Sequence, residues 1–390
     1  MIAGVPICLR HLPGMAKKVM DMEKHSHVFE RFTTFENLYD GYLLARRNKR
    51  YKAGVLAYSS NLEENIIDSI NRLQWKTYKP GTPHPFYEYW PKLRLIHSLP
   101  FYDRVINCAA YKVLWPIYTK SFYEHSYGSI PNMGTVKAAE KLQSWMRIVE
   151  NKGGWFAGKA DVAKFFFRIP IEVQLRELGR PLDDPDMMWF LETAIRCDGR
   201  PFGLPVHCTD VSTAERIAGI GMQVGSLISQ VTANVVMTPL DHYIKRELRV
   251  PYYIRYMDDM VILCPSKEEC WDVLHAIDDY LQMELGLELN DKTAVVPVGK
   301  KIEFVGRKIS PACIELRRQT SLQMKKHLNY IMEHYATGEL PFEYCDTVIQ
   351  SYKGLLAHTD SDALRKKIYD TFYLSHQPEN VEEWHSDIVY

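Results

Sequence analysis

Apolar and polar positions along the chain fall into stretches of two distinct periods. Leu62, Ile66, Ile70 and Leu73 recur near i, i+4, so the spacing predicts a helix over Asn61 to Trp75, broken by Lys79-Pro80-Gly81-Thr82-Pro83. Phe86 to Tyr89 and Leu93 to His97 alternate and predict a hairpin carrying Lys92 and Arg94. Phe101 to Tyr118 and Thr135 to Val149 read as helices on either side of the turn-rich stretch Ser126 to Gly134. Gly154 to Val162 reads as a strand bearing Asp161 at its end, followed by helical segments over Pro170 to Leu178 and Asp186 to Ile195. Cys197 to Ala218 has no period, the pattern of a loop or an insertion. A long helix is expected from Ser226 to Leu248. Two strands, Tyr252 to Tyr256 and Met260 to Cys264, then flank a tight turn. Ser266-Lys267-Glu268-Glu269 has the form of a capping box opening a helix whose face is Trp271, Leu274, Ile277, Leu281 and Leu285. A strand pair follows over Lys301 to Ile314, and helical patterns alternate with polar breaks from Leu322 to Tyr373.

Composition sets the scale of this inventory. A chain of 390 residues exceeds what one core usually organises, so two or three subdomains around a shared cleft are expected. Its 46% apolar and 25% charged residues are those of a folded globular chain. Lys and Arg number 48 against 48 Asp and Glu, so a polyanion would have to be held by a local basic surface. The densest such run is Arg46-Arg47-Asn48-Lys49-Arg50-Tyr51-Lys52, which would serve either as a solvated helix face or as a phosphate contact. Eight scattered cysteines with no metal-type spacing fit free thiols in a reducing compartment. Met1 to Cys8 lacks a basic leader and no apolar run approaches the roughly 20 residues that span a bilayer, so a soluble cytoplasmic protein is expected.

The chemistry centres on Tyr256-Met257-Asp258-Asp259, set between the apolar flanks Tyr253-Ile254 and Val261-Ile262-Leu263. Adjacent carboxylates repel, and a merely structural turn would more readily use Asn-Gly or Asp-Gly. A bound divalent cation removes that cost, and Mg²⁺ accepts a few carboxylate oxygens together with substrate phosphates. Two metals about 3.5 to 4 Å apart, gripping the attacking and leaving oxygens, would need a further carboxylate. Asp161, ending an apolar strand before Val162-Ala163-Lys164-Phe165-Phe166, supplies it; alone it would read as a cap.

These residues resemble a family. Asp161-Val-Ala-Lys-Phe-Phe166, Gly225-Ser-Leu-Ile-Ser-Gln230 and Tyr256-Met-Asp-Asp259 occur in the order and spacing of reverse transcriptase palm motifs. Pro91-Lys92-Leu93-Arg94-Leu95-Ile96, Asp103-Arg104-Val105 and Ser126-Tyr127-Gly128 are similar to the fingers of bacterial reverse transcriptases related to group II introns. Leu285-Gly-Leu-Glu-Leu-Asn290 with Lys292-Thr293, and Phe304-Val-Gly306, resemble the motifs that close the palm. The likeness covers roughly residues 40 to 375. Val224 before Gly225, with Ser229-Gln230 after it, departs from group II-like enzymes and is similar to diversity-generating retroelement and defence-associated enzymes.

The resemblance implies an α/β right-hand polymerase: a basic N-terminal extension (1–60), fingers (61–150), a palm with an antiparallel sheet plus helices (151–310, with an insertion near 197–218), and a helical thumb with an acidic tail (311–390). It implies RNA-templated DNA synthesis from deoxynucleoside triphosphates with two Mg²⁺ ions, held by Asp161 and Asp258 with Asp259 in support. Lys92 and Arg94 would contact the triphosphate or form rim ion pairs, and Lys292 would be the acid for the leaving pyrophosphate or a solvated turn lysine. Phe166 would lie under the nucleotide sugar and exclude a 2′-hydroxyl, with Phe165 and Phe167 facing away into core or wall as alternate strand residues do. Gly225 and Ser226 would admit the template backbone or start a helix; Gln230, Tyr256 and Met257 complete the nucleotide surface. Arg46, Arg47, Lys49, Arg50 and Val224 are the candidate template contacts. Expected partners are a structured template RNA and its cDNA, with an accessory protein or second subunit possible, and no membrane. An antiphage defence system, a diversity-generating retroelement and a catalytically inactive RNA-binding scaffold remain the competing roles.

Overall fold

The computed structural model describes residues 23–88, 94–205, 208 and 215–375. Four helices come first: α1 (Val28–Phe32), α2 (Phe35–Ala45), α3 (Ala53–Ser60) and α4 (Leu62–Gln74). The hairpin β1 (His84–Glu88) and β2 (Arg94–Ser98) pairs antiparallel, and α5 (Phe101–Tyr118) begins directly after Pro100. α1, α2 and α4 supply Phe32, Leu38 and Ile66 to one apolar cluster with Ile106, Ala109 and Leu114 of α5. From Val28 onward, therefore, the segment expected as an N-terminal extension is part of the helical layer around α5.

After α6 (Thr135–Glu150) comes the strand on which the site is built, β3 (Phe156–Asp161). Helices α7 (Phe165–Arg168), α8 (Ile171–Gly179), α9 (Pro185–Arg196) and α10 (Leu227–His242) follow, the last running into a π-type turn over Tyr243–Glu247. The long helix expected to Leu248 thus changes hand-hold after His242. Strands β4 (Tyr252–Tyr256), β5 (Asp259–Cys264) and β6 (Ala294–Pro297) join β3 in an antiparallel sheet of order β4-β5-β3-β6. Helix α11 (Lys267–Tyr280) connects β5 to the segment leading into β6.

Both faces of this sheet are covered. Met260, Ile262 and Cys264 of β5 pack with α10 and α11, whereas Val261 and Leu263 pack with α6 residues Leu142 and Met146. That is why β5 reads as a continuous apolar run and not as an alternation. Against the α6 side lies a three-stranded sheet, β7 (Ile302–Phe304), β8 (Arg307–Ile309) and β9 (Ile314–Leu316), where the sequence predicted a pair. It extends past the boundary expected at 310. The chain continues into α12 (Arg318–Ala336), α13 (Phe342–Ala357) and α14 (Asp362–Thr371), which share their own core of Met324, Leu328, Ile331, Cys345 and Leu356. The seven described cysteines are free; Cys8 lies outside the described residues.

The expected cap is present: Ser266 Oγ accepts a hydrogen bond from the Glu269 N–H at 3.1 Å, satisfying one of the four unpaired donors at the start of α11. Ser266→Ala should lower the unfolding free energy by about 1 kcal/mol in urea denaturation. An unchanged midpoint would show that water replaces the cap without cost.

Candidate active site

The register of β3 and β5 places Asp161 directly opposite Asp259, and the register of β4 and β5 places Asp259 opposite Tyr256. Met257 and Asp258 are thus the two central residues of a tight turn that brings the second carboxylate to the same end of the sheet. Met257 is buried with φ at 58°, a left-handed conformation that a two-residue hairpin turn demands and that Asn or Gly adopts more readily. Gly128 makes room for it: a Cβ there would stand 2.4 Å from Met257 Cγ and 2.7 Å from its amide nitrogen.

The end of β3 is tied down from the other side. Asn290 donates its backbone N–H to the Asp161 carbonyl at 2.7 Å and its side-chain amide to Oδ2 at 3.5 Å. Ala163 N–H donates to the Glu288 carbonyl, and Val162 N–H to the Asp258 carbonyl at 3.3 Å. Lys159, two residues before Asp161 and so on the same face of β3, brings its ammonium to 3.8 Å from Asp259 Oδ1. Sequence reasoning missed Lys159, for which the period-2 spacing with Asp161 was the available signal, and had Asn290 only as the end of a palm-closing motif with no role beside Asp161.

Asp259 is the perturbed group. Burial, above all, pushes its carboxyl up to about 7; Lys159 opposes this, and the charges of Asp161 and Asp258 add to it. Its Oδ1 is buried and accepts no hydrogen bond.

Phe165 to Phe167 lie on the helical turn α7 and not on a strand, so the expected alternation fails while the outcome for Phe165, fully buried, is as expected. Phe166 is half-buried, its ring edge-on to Phe165 at 5.3 Å, and Phe167 lies under the Arg216 guanidinium at 4.7 Å. Gly225 has φ at 113°, but what approaches it is the chain's own β2: an added Cβ would meet Ile96 Cγ2 at 3.0 Å and the His97 carbonyl oxygen at 3.2 Å. The His97 N–H donates to the Val224 carbonyl at 2.9 Å, so the backbone of Val224 carries a strand-like bond to the hairpin. Ser226 is buried at the N-cap of α10, the helix-start alternative, and Gln230 is exposed on that helix. Tyr256 is half-buried at the end of β4. Lys292 is exposed just past Asn290. Arg47, Lys49 and Arg50 are exposed, whereas Arg46 is half-buried, its guanidinium 4.8 Å over the Tyr42 ring. Lys92 and the Arg94 side chain lie outside the described residues.

The profile of the reverse transcriptase (RNA-dependent DNA polymerase) family matches residues 79–309, more than half of the chain and the whole of this carboxylate cluster. The chain belongs to the reverse transcriptase family. Its fold is accordingly the right-hand polymerase, with the antiparallel sheet β4-β5-β3-β6 as the palm. Among curated relatives, the putative COX1/OXI3 intron 2 protein of Saccharomyces cerevisiae is 20% identical over 292 residues, 60% of this chain and 32% of that protein. Protein YkfC of Escherichia coli is 22% identical over 259 residues, 56% of this chain and 63% of its own length. The chain thus spans about a third of the first of these relatives and somewhat under two thirds of the second. A solved telomerase from Candida albicans, in complex with a telomeric RNA fragment, is 14% identical with a TM-score of 0.44 over 80% of this chain and 57% of that one. Among the described residues no helix is long and apolar enough to cross a membrane.

The raised carboxyl of Asp259 gives the fold a pH dependence. As pH rises, the unfolded chain loses this proton first, near its ordinary value of about 4, so stability is full below that and falls until the folded group ionises at about 7. In metal-free buffer, Asp259→Asn should therefore raise the melting temperature at pH 8 and leave it nearly unchanged at pH 4. An equal gain at both pH values would assign the effect to packing.

Proposed function

We propose that this protein is an RNA-templated DNA polymerase, joining deoxynucleotides by two-metal nucleotidyl transfer. The observation that carries the reading is the register that sets Asp161 opposite Asp259 beside the Asp258 turn, within the span the family profile matches. The site suits hard divalent cations: its donors are carboxylate oxygens, and Asp259 Oδ1 is a buried acceptor without a hydrogen bond. Among the described residues no group of three or more His, Cys, Asp and Glu side chains is placed to hold a metal ion on its own. An open arrangement fits Mg²⁺ that takes its remaining ligands from substrate phosphates.

Asp161 and Asp258 would hold the ions, with Asp259 in support. Bound there, two Mg²⁺ ions supply charge neutralisation for the attacking and leaving oxygens. A primer 3′-oxygen forms a bond to the α-phosphorus of the incoming nucleotide as the bond to pyrophosphate breaks. Lys92 and Arg94 would grip the triphosphate from the β1–β2 hairpin, and Lys292 would return a proton to the leaving group. Lys159, by its charge beside Asp259, would offset part of the cost of burying that carboxyl. Phe166, half-buried beside the core and five residues past Asp161, would close the space beside C2′. The exposed Arg47, Lys49 and Arg50, with Arg46, would hold phosphates of a structured template RNA, a local basic surface on a chain of zero net charge. That balance fits an enzyme working with a dedicated RNA or an accessory protein, as in an antiphage defence system. The alternative, a diversity-generating enzyme, rests on Val224, whose carbonyl is used within the protein, and on Ser229-Gln230.

Asp161→Ala and Asp258→Ala should each abolish primer extension on an RNA template while leaving the thermal unfolding cooperative; extension retained by either folded variant refutes the assignment. Phe166→Ala should relax discrimination against ribonucleotides by about tenfold or more, read as the ratio of kcat/KM for paired deoxy- and ribonucleotides. A ratio equal to that of the unmodified protein would remove Phe166 as the gate.

A further inference from the structure

Beneath the Met257-Asp258 turn lies an ion pair with no exposure on either side. Arg255, on β4, donates Nε to Asp241 Oδ1 at 2.7 Å and Nη2 to Oδ2 at 2.6 Å; both side chains are 0% exposed. Tyr253 donates its hydroxyl to the same Oδ1 at 2.7 Å. The remaining guanidinium nitrogen, Nη1, reaches the carbonyl of Met257 at 2.9 Å and Asn234 Oδ1 at 3.3 Å. Asn234 in turn donates to the carbonyl of Gly128 at 2.9 Å, the residue whose missing Cβ accommodates Met257.

A fully buried ion pair is a weak source of stability, because desolvation offsets the attraction. Its geometry does something an apolar pair could not. The guanidinium is a rigid fork: two nitrogens locked on one carboxylate leave the third aimed in a fixed direction. Here that direction is the carbonyl of a residue held at φ 58°, which needs surrounding structure to keep it there. The next residue is Asp258.

We infer that Asp241 and Arg255 are positioning residues, an internal clamp that fixes the turn main chain and so holds Asp258 at the end of the sheet where Asp161 and Asp259 lie opposite each other. Asn234 extends the clamp to Gly128 and so to the other wall of the turn. The inference rests on the polymerase reading only for its consequence, the convergence of carboxylates on a metal; the clamp itself is a statement about the turn.

Arg255→Lys separates these roles. An ammonium keeps the charge for Asp241 but has no rigid fork to reach Met257 as well. Hydrogen exchange measured by mass spectrometry should show lost protection confined to the peptide around residues 255–260. Binding of Mn²⁺ alone to the free protein, followed by electron paramagnetic resonance, should weaken about tenfold, as expected for one charged hydrogen bond. In primer extension kcat should fall with the nucleotide KM little changed. Should Arg255→Lys fail to fold, the pair Asp241→Leu with Arg255→Met removes both charges at similar volume and should give the same local loss. Exchange and Mn²⁺ affinity equal to those of the unmodified protein would overturn the clamp, as would protection lost across the whole sheet, which marks a purely structural pair. Local loss in the variant, together with an unmodified protein that neither binds Mn²⁺ nor extends a primer, supports the clamp and refutes the polymerase reading.

Discussion

Two carboxylates facing each other across β3 and β5, with a third on the turn that joins β4 to β5, are what the rest of this protein must make tolerable. Like charges in directly opposed cross-strand positions destabilise a sheet, and Asp161 and Asp259 are so placed by register, not by side-chain choice. Sliding β5 by one residue would separate them, but it would also turn Met260, Ile262 and Cys264 from the α10–α11 side to the α6 side. With both faces buried, that slip is closed, and the apolar packing of β5 enforces the electrostatic conflict at its first residue. Lys159 relieves part of it from within the same strand, two residues away on the same face.

The parts of this arrangement differ in how far local sequence specifies them. The boundaries of α5 coincide with those read from the chain because Pro100 closes the preceding segment and an apolar stripe runs unbroken to Tyr118. The β4 and β5 strands were legible for a similar reason: two apolar runs separated by so short a polar interval leave room only for a tight turn. The three carboxylates could be singled out because paired acids in such a turn have no structural excuse. Phe165-Phe166-Phe167 misled because a short aromatic run carries no period, and α7 is a single turn. The third strand of the small sheet, β9, is three residues long, too short for alternation to register.

Other features depend on contacts that no local pattern encodes. Arg255 reads as an ordinary polar residue in a strand, and nothing near it announces a carboxylate 14 positions earlier at the end of α10. Asn290 stands 129 positions from the aspartate it touches. Gly225 suggested close approach, since glycine permits it, and within the protein the neighbour it admits is β2. A sequence can state that a backbone must be approached without identifying the visitor.

That last contact bears on how the hairpin is tied to the sheet. β2 belongs to the hairpin that carries Arg94, and it is joined to the loop before α10 by a backbone bond from His97 to Val224 and by Gln223 Nε2 donating to the His97 carbonyl at 3.0 Å. The same loop starts α10, whose far end holds Asp241, the partner of Arg255 beneath the Met257-Asp258 turn. One rigid helix therefore has the hairpin fastened at its N-terminus and the turn clamp at its C-terminus. Movement of the hairpin relative to the sheet must either break the His97 bonds or carry α10 with it. The second course is opposed by the buried side chains through which α10 packs on the sheet and on α5, among them Val236 and Met237 on one side and Ile228 and Val235 on the other. β2 is thus fastened at His97 to the loop at Val224 and Gly225, which acts as its base.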